Sequence, residues 1–250
     1  MFTSKQHLHN NLGVDEHVAA FFVDRKIPEH NWYWKERLLY VSKGTGYLFI
    51  PLFFDLQLKC GLSLHSLLSE DYINVAEQIL NSAAMHELEQ ISFKQHLGNC
   101  KNIIATKIKN PDLYRELDVY FENEQLKPYK NIGTESKALN RGDTFLFSIC
   151  FLDLNKEITD KILLYWYALV PSFLLMDDIY DIQEDQKKNE ENSVDDFGPG
   201  VVGIERAIAF LREKFSQLKV LNEKLGSYFE NSLEKKIRTP YMQFLLNGKQ

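Results

Sequence analysis

Between positions 177 and 185 the chain carries five carboxylates: Asp177, Asp178, Asp181, Glu184 and Asp185. On an α-helix, at 100° per residue, all five fall on one face about 120° wide. Leu163, Trp166, Val170 and Leu174 occupy the same face in the preceding turns, so an acidic stripe continues an apolar one. Like charges gathered on a face that packs against other helices repel and raise one another's pKa, and they call for a cation or a water-filled cavity. Oxygen donors with no His or Cys beside them suit Mg²⁺, with Mn²⁺ the alternative. A Mg²⁺ held by one or two carboxylates keeps positions for phosphate oxygens. The chemistry implied is metal-assisted handling of a phosphate or diphosphate. The D-x-D-x-D-G pattern of a calcium loop is missing. The competing reading, a solvated helix end running into an acidic loop, suits Glu190, Glu191, Asp195 and Asp196, which lie beyond the helical pattern.

The elements that must position these acids read as helices. The formal net charge is −6 over 250 residues; residues 177–196 hold −7 of it and the remaining 230 sum to +1. A near-neutral body with a pI of about 5.7 lacks the basic footprint of a general nucleic-acid binder. With 44% hydrophobic and 13% aromatic residues the chain can bury a large core, which excludes disorder. Scarce Gly (12) and Pro (7), together with long hydrophobic segments, point to an all-α architecture. Helices are expected over 17–23, 32–40, 48–60, 71–97, 99–107, 111–123, 144–152, 157–185 and 203–234, with a short piece from Tyr241. Turn chemistry marks the breaks at Gly44 and Gly46, Gly61, Asn110-Pro111, Gly133 and Gly198-Pro199-Gly200. Without an internal repeat or a Ser/Gly-rich linker, residues 1–250 read as one helical-bundle domain.

Pro171 interrupts the longest helix and is expected to kink it. The uncharged stretch 162–176 has 15 residues, short of the ~20 a membrane span needs, and reads as a helix buried inside protein. Cys60, Cys100 and Cys150 show no C-x-x-C pairing and read as buried free thiols in a reducing cytoplasm. No apolar leader segment opens the chain, which agrees with a cytoplasmic location. The segment 203–236 is amphipathic, an outer helix that covers the bundle or forms a homodimer contact. His86-Glu87 begins an H-E-x-x-H zinc motif that fails at Gln90.

Phe173-Leu174-Leu175-Met176-Asp177-Asp178-Ile179-Tyr180-Asp181 resembles the second aspartate-rich motif, D-D-x-x-D, of the trans-isoprenyl diphosphate synthases. The continuation Tyr180-Asp181-Ile182-Gln183-Glu184-Asp185 is similar to the second D-x-x-E-D segment of the squalene/phytoene synthases. The resemblance implies the all-helical class I isoprenoid synthase fold with a central cavity, and a prenyl diphosphate as substrate. Lys43-Gly44-Thr45-Gly46 resembles the basic opening motif of that family, without its arginines. Asn81 to Glu89 resembles the helix of the first acidic motif, with Glu87 and Glu89 in place of D-D-x-x-D. The segment 137–150 resembles the K-T-G helix. Carried onto this chain, the resemblance implies Mg²⁺ ligands at Asp177, Asp178, Asp181, Asp185, Glu87 and Glu89. It implies diphosphate contacts at Lys43, Lys137, Arg141 and Lys187, and an apolar pocket lined by Phe54, Phe145, Trp166 and Phe173. The family ionises an allylic diphosphate to a carbocation with three Mg²⁺ ions held between two acidic motifs.

Three functions are consistent with these residues. One is a Mg²⁺-dependent isoprenoid synthase-like enzyme of the prenyltransferase or terpene synthase type. Another is a non-catalytic member of the same fold that binds an isoprenoid or a partner protein. The third is an all-helical Mg²⁺-dependent nucleotide pyrophosphohydrolase. The degenerate Glu87/Glu89 motif favours the second, and the apolar face leading into the acids favours an isoprenoid over a nucleotide.

Overall fold

A computed structural model describes residues 4–25, 29, 31, 49–188 and 192–247, and among these the chain is all-α. A lone antiparallel bridge between Tyr129 and Ile132 is the extent of strand pairing among the described residues. The helices are α1 (Glu16–Asp24), α2 (Phe49–Lys59), α3 (Leu64–Leu67), α4 (Glu70–Glu87), α5 (Phe93–Ile104), α6 (Pro111–Glu122), α7 (Lys156–Lys188), α8 (Gly200–Leu221), α9 (Glu223–Ile237) and α10 (Pro240–Asn247). The chain divides into two compact units, residues 1–10 with 14–164 and residues 11–13 with 165–250, and α7 contributes residues to both. The helix expected over 32–40 lies outside the described residues.

In the first unit the helix starts follow local hydrogen-bonding chemistry. The Asp15 carboxylate accepts from the backbone N–H groups of His17 and Val18, while its own N–H donates to Asp55 on α2 (2.8 Å). Ser92 and Gln95 form a reciprocal capping box at the start of α5, and Asn110 caps α6 ahead of Pro111. The core is aromatic: Phe22 packs on Phe54 at 4.8 Å between ring centres, Phe54 on Tyr72 at 5.3 Å, and Phe53 on Phe145 at 5.4 Å. A fully buried 3-10 helix, Asp143–Phe151, runs beneath α4 and α5. His96 of α5 joins these three elements, bonding through Nδ1 to Ser82 Oγ (3.0 Å) and through Nε2 to Thr144 Oγ1 (2.8 Å).

The second unit is built on a helical hairpin. Asn222 ends α8 and caps α9, accepting from Leu225 N–H at 3.2 Å, and its Nδ2 donates to the Leu12 carbonyl at 2.9 Å. Phe215 of α8 stacks on Phe229 of α9, and Phe173 of α7 meets the same ring edge-on. The two hairpin arms touch backbone to backbone at Gly226, where a Cβ would lie 2.6 Å from the Phe215 carbonyl oxygen and 2.4 Å from Lys219 Cγ. Alanine normally gains about 1 kcal/mol over glycine inside a helix, but overpacking a contact with an immovable carbonyl costs about 1–3 kcal/mol. Gly226→Ala is therefore expected to lower the urea midpoint, whereas Gly98→Ala on α5, where a Cβ meets nothing within 4 Å, raises it.

Four helix expectations need correction. The helix expected over 71–97 is two helices, α4 and α5, because the chain leaves α4 at Glu87 and Ser92 starts α5 with its capping box. The separate helix expected over 99–107 is the second half of α5. The helix expected over 203–234 is likewise two, since the Asn222 side chain terminates one and starts the next. The segment expected as a helix over 144–152 adopts the tighter 3-10 form. The three cysteines are free and buried, as their spacing predicts. Helix α7 is long and apolar enough to cross a membrane by length and composition, and 78% of its most apolar window is buried inside the protein.

Candidate metal and diphosphate site

Helix α7 is continuous from Lys156 to Lys188, so Asp177, Asp178, Asp181, Glu184 and Asp185 share one helix as their spacing predicts. Leu175, Ile179 and Ile182 turn inward. Asp177 is exposed, while Asp178, Asp181, Glu184 and Asp185 are half-buried.

Asp178 and Asp185 hold the chain that returns after α7, and Glu184 pairs with Lys188 on its own helix (2.6 Å). Asp178 accepts from the Ser193 backbone N–H (3.0 Å) and from the Ser193 hydroxyl. Asn192 donates from Nδ2 both to the Asp178 carbonyl (2.8 Å) and to the Asp185 carboxylate (2.6 Å). The chain returning after α7 is thereby fastened to the acidic face. It then enters the 3-10 helix Ser193–Phe197 and the Gly198-Pro199-Gly200 turn, where Gly198 has φ 123°. A Cβ at Gly203 would come within 1.8 Å of the Gly198 carbonyl oxygen, so this turn closes on α8 only over a glycine. Asp195 and Asp196 are exposed in the 3-10 helix Ser193–Phe197.

The side of α7 that carries Asp181 also receives a cation. Lys236, at the end of α9, donates from Nζ to the Tyr180 carbonyl (2.7 Å), and its ammonium lies 5.0 Å from the centre of the Tyr180 ring. Desolvation lowers the Lys236 pKa, and the Asp181 charge opposes that shift. Tyr180 is fixed in turn, its hydroxyl donating to the Ser232 carbonyl at 2.9 Å. Lys187 is exposed on the last turn of α7.

The other expected site residues are placed as follows. Trp166 and Phe173 are on α7 in the second unit, Trp166 fully buried and Phe173 half-buried against Phe229. Phe54 and Phe145 belong to the aromatic core of the first unit. Glu87 is the last residue of α4 and is exposed. Glu89 is exposed in the turn that follows, with φ 56°, so the two glutamates do not share a helical face as a helix-borne acidic motif requires. Lys137 and Arg141 are exposed at the two ends of the short 3-10 helix Ala138–Asn140. Lys43 lies outside the described residues.

The donor set at the end of α7 fits a hard cation in kind, being all carboxylate oxygen. It does not form a cage: among the described residues, no group of three or more His, Cys, Asp or Glu side chains is placed to hold a metal ion. Asp177 and Asp181 lie one turn apart on α7, and two carboxylates are what Mg²⁺ commonly takes from a protein when phosphate and water supply the rest. Asn192, Ser193 and Lys236 complete the constellation and were not singled out from sequence. Asn192 and Ser193 carry a local signal, an Asx-capped turn following an acidic helix end, whereas Lys236 lies 55 residues from Asp181 with no spacing rule to connect them. No protein-family model, curated protein or solved structure matches the chain.

Proposed function

We propose that the end of α7 binds a divalent cation and a prenyl diphosphate, and that the chain is a Mg²⁺-dependent isoprenoid synthase-like enzyme of the prenyltransferase or terpene synthase type. The observation that carries this reading is the D-D-x-x-D string on consecutive turns of one helix, apolar up to Met176, with the Lys236 ammonium brought to the turn of Tyr180 and Asp181. Asp177 and Asp181 are the carboxylates that would hold Mg²⁺, which when bound supplies neutralisation of the diphosphate leaving group. Asp178 and Asp185 hold the 192–193 return in place, and so set the shape of the acidic face. Lys236 contributes a fixed positive charge beside that face. The apolar residues that precede Asp177 supply the water-poor surroundings in which such charges act most strongly.

A second reading, a non-catalytic protein of the same kind that binds an isoprenoid, draws on the exposed helix-end position of Glu87 and on the loop-holding task of Asp178 and Asp185. Incubation with Mg²⁺ and geranyl, farnesyl or geranylgeranyl diphosphate, with and without isopentenyl diphosphate, separates the two. The enzyme reading expects pyrophosphate release that falls at least ~100-fold in the Asp177→Ala, Asp181→Ala double variant, with thermal unfolding unchanged. No release from any substrate, together with saturable binding of the diphosphate, establishes the second reading; neither release nor binding overturns both.

A further inference from the structure

The first unit carries a polar trough that the acidic helix end does not involve. Its walls are the faces of α4 and α5, with Asn74, Gln78, Asn81 and Ser82 on one side and Asn99 and Asn102 on the other, and its volume is about 460 Å³. Ser82 forms the floor: its hydroxyl accepts from Asn99 Nδ2 (3.0 Å) and pairs with His96 Nδ1. Asn74, Gln78 and Asn102 are exposed, and among the described residues their side-chain amides make no hydrogen bond. Primary amides donate and accept at once without charge, so a surface lined with them matches a ligand that offers both kinds of group.

Charge narrows the choice. Glu77 in the trough is paired with Arg25, and Glu29 is exposed, while among the described residues no Lys, Arg or aromatic ring lines the walls. Among the described residues a phosphate or carboxylate ligand finds no cationic partner here. Shape narrows it further. From Asn74 to Met85 the α4 wall runs about 16 Å at 1.5 Å per residue. That length spans about five residues of an extended chain at ~3.3 Å each. Period agrees as well: Asn74, Gln78 and Ser82 recur every four residues, about 6 Å along a helix, close to the ~6.6 Å between alternate residues of an extended strand.

We propose that this trough binds an extended, uncharged or basic peptide segment of about five residues through its backbone amides. The trough residues read the main chain, so affinity follows charge and small side-chain size more than side-chain identity. The test uses the full chain with ¹⁵N-labelled side-chain amides, titrated with Ac-Ser-Gly-Ser-Gly-Ser-NH₂, with Ac-Asp-Gly-Asp-Gly-Asp-NH₂ and with maltotriose. The neutral peptide is expected to shift the Asn74, Gln78 and Asn102 amide signals saturably. The acidic peptide binds at least tenfold more weakly, and the Gln78→Leu, Asn102→Leu double variant loses at least tenfold in affinity for the neutral one. Asn74→Ala, at an exposed helical position, serves as a second variant with the same expected direction. Absence of shifts with the neutral peptide, shifts with maltotriose alone, or unchanged affinity in variants of native circular dichroism overturns the proposal.

Discussion

Trp166→Ala is expected to lower the unfolding free energy by about 3–5 kcal/mol, read as a fall in the urea midpoint by far-ultraviolet circular dichroism. Trp166 is 0% exposed and sits on the α7 segment that leads to the acids. Deleting a buried indole removes its transfer free energy and leaves a cavity that the surrounding helices fill only partly. The experiment also distinguishes the two roles open to this side chain. A ring that lines a ligand pocket already borders empty space, so its truncation costs less than that range and is felt instead in ligand affinity. A cost in the upper range assigns Trp166 to the core.

The second large effect is on acid stability. Burial, and then the charge of neighbouring His86, hold the His96 pKa down to about 4. Both ring nitrogens are engaged by hydroxyls that can serve the neutral imidazole as donor on one side and acceptor on the other. In the unfolded chain the same ring titrates near ~6.5, so between these values the unfolded state binds a proton that the folded state refuses. The His96 contribution is full above pH 6.5 and is lost as the pH falls towards 4, about 3 kcal/mol in all. Urea midpoints measured from pH 7.5 to pH 4.5 should fall steeply for the native chain and less steeply for His96→Gln, which cannot take up the proton. Parallel slopes for the two proteins would assign the acid sensitivity elsewhere.

Where hydrophobic period and local capping agree, the sequence places elements closely. Helix α7 was expected over 157–185 and is found over Lys156–Lys188, because a long apolar run with few breakers admits little else. α6 starts where Asn110-Pro111 puts it. The break after Glu87 was missed because residues 88–92 contain neither Gly nor Pro; the Ser92-x-x-Gln95 box was the available sign. The stop at Asn222 was missed for a different reason. That residue leaves α8 in an extended conformation and caps α9, and its Nδ2 donates to Leu12, 210 positions away, a partner that no local pattern encodes.

The acidic face shows the same division. The helix period alone put five carboxylates on one stripe, and the structure keeps them on one continuous helix. That Asp178 and Asp185 serve the 192–193 return, and that Lys236 arrives beside Tyr180, depends on tertiary approach. The Glu87 and Glu89 pair depended on a helix running to residue 97, and the end of α4 removes that geometry.

All three thiols belong to the first unit, and burial pushes each of them up, Cys60 to about 12 and Cys100 and Cys150 further still. A thiol so protonated and enclosed is inert towards electrophiles until the structure around it opens. The second unit holds no cysteine at all. Alkylation kinetics therefore time the breathing of one half of this chain against a chemically silent other half, with no label introduced.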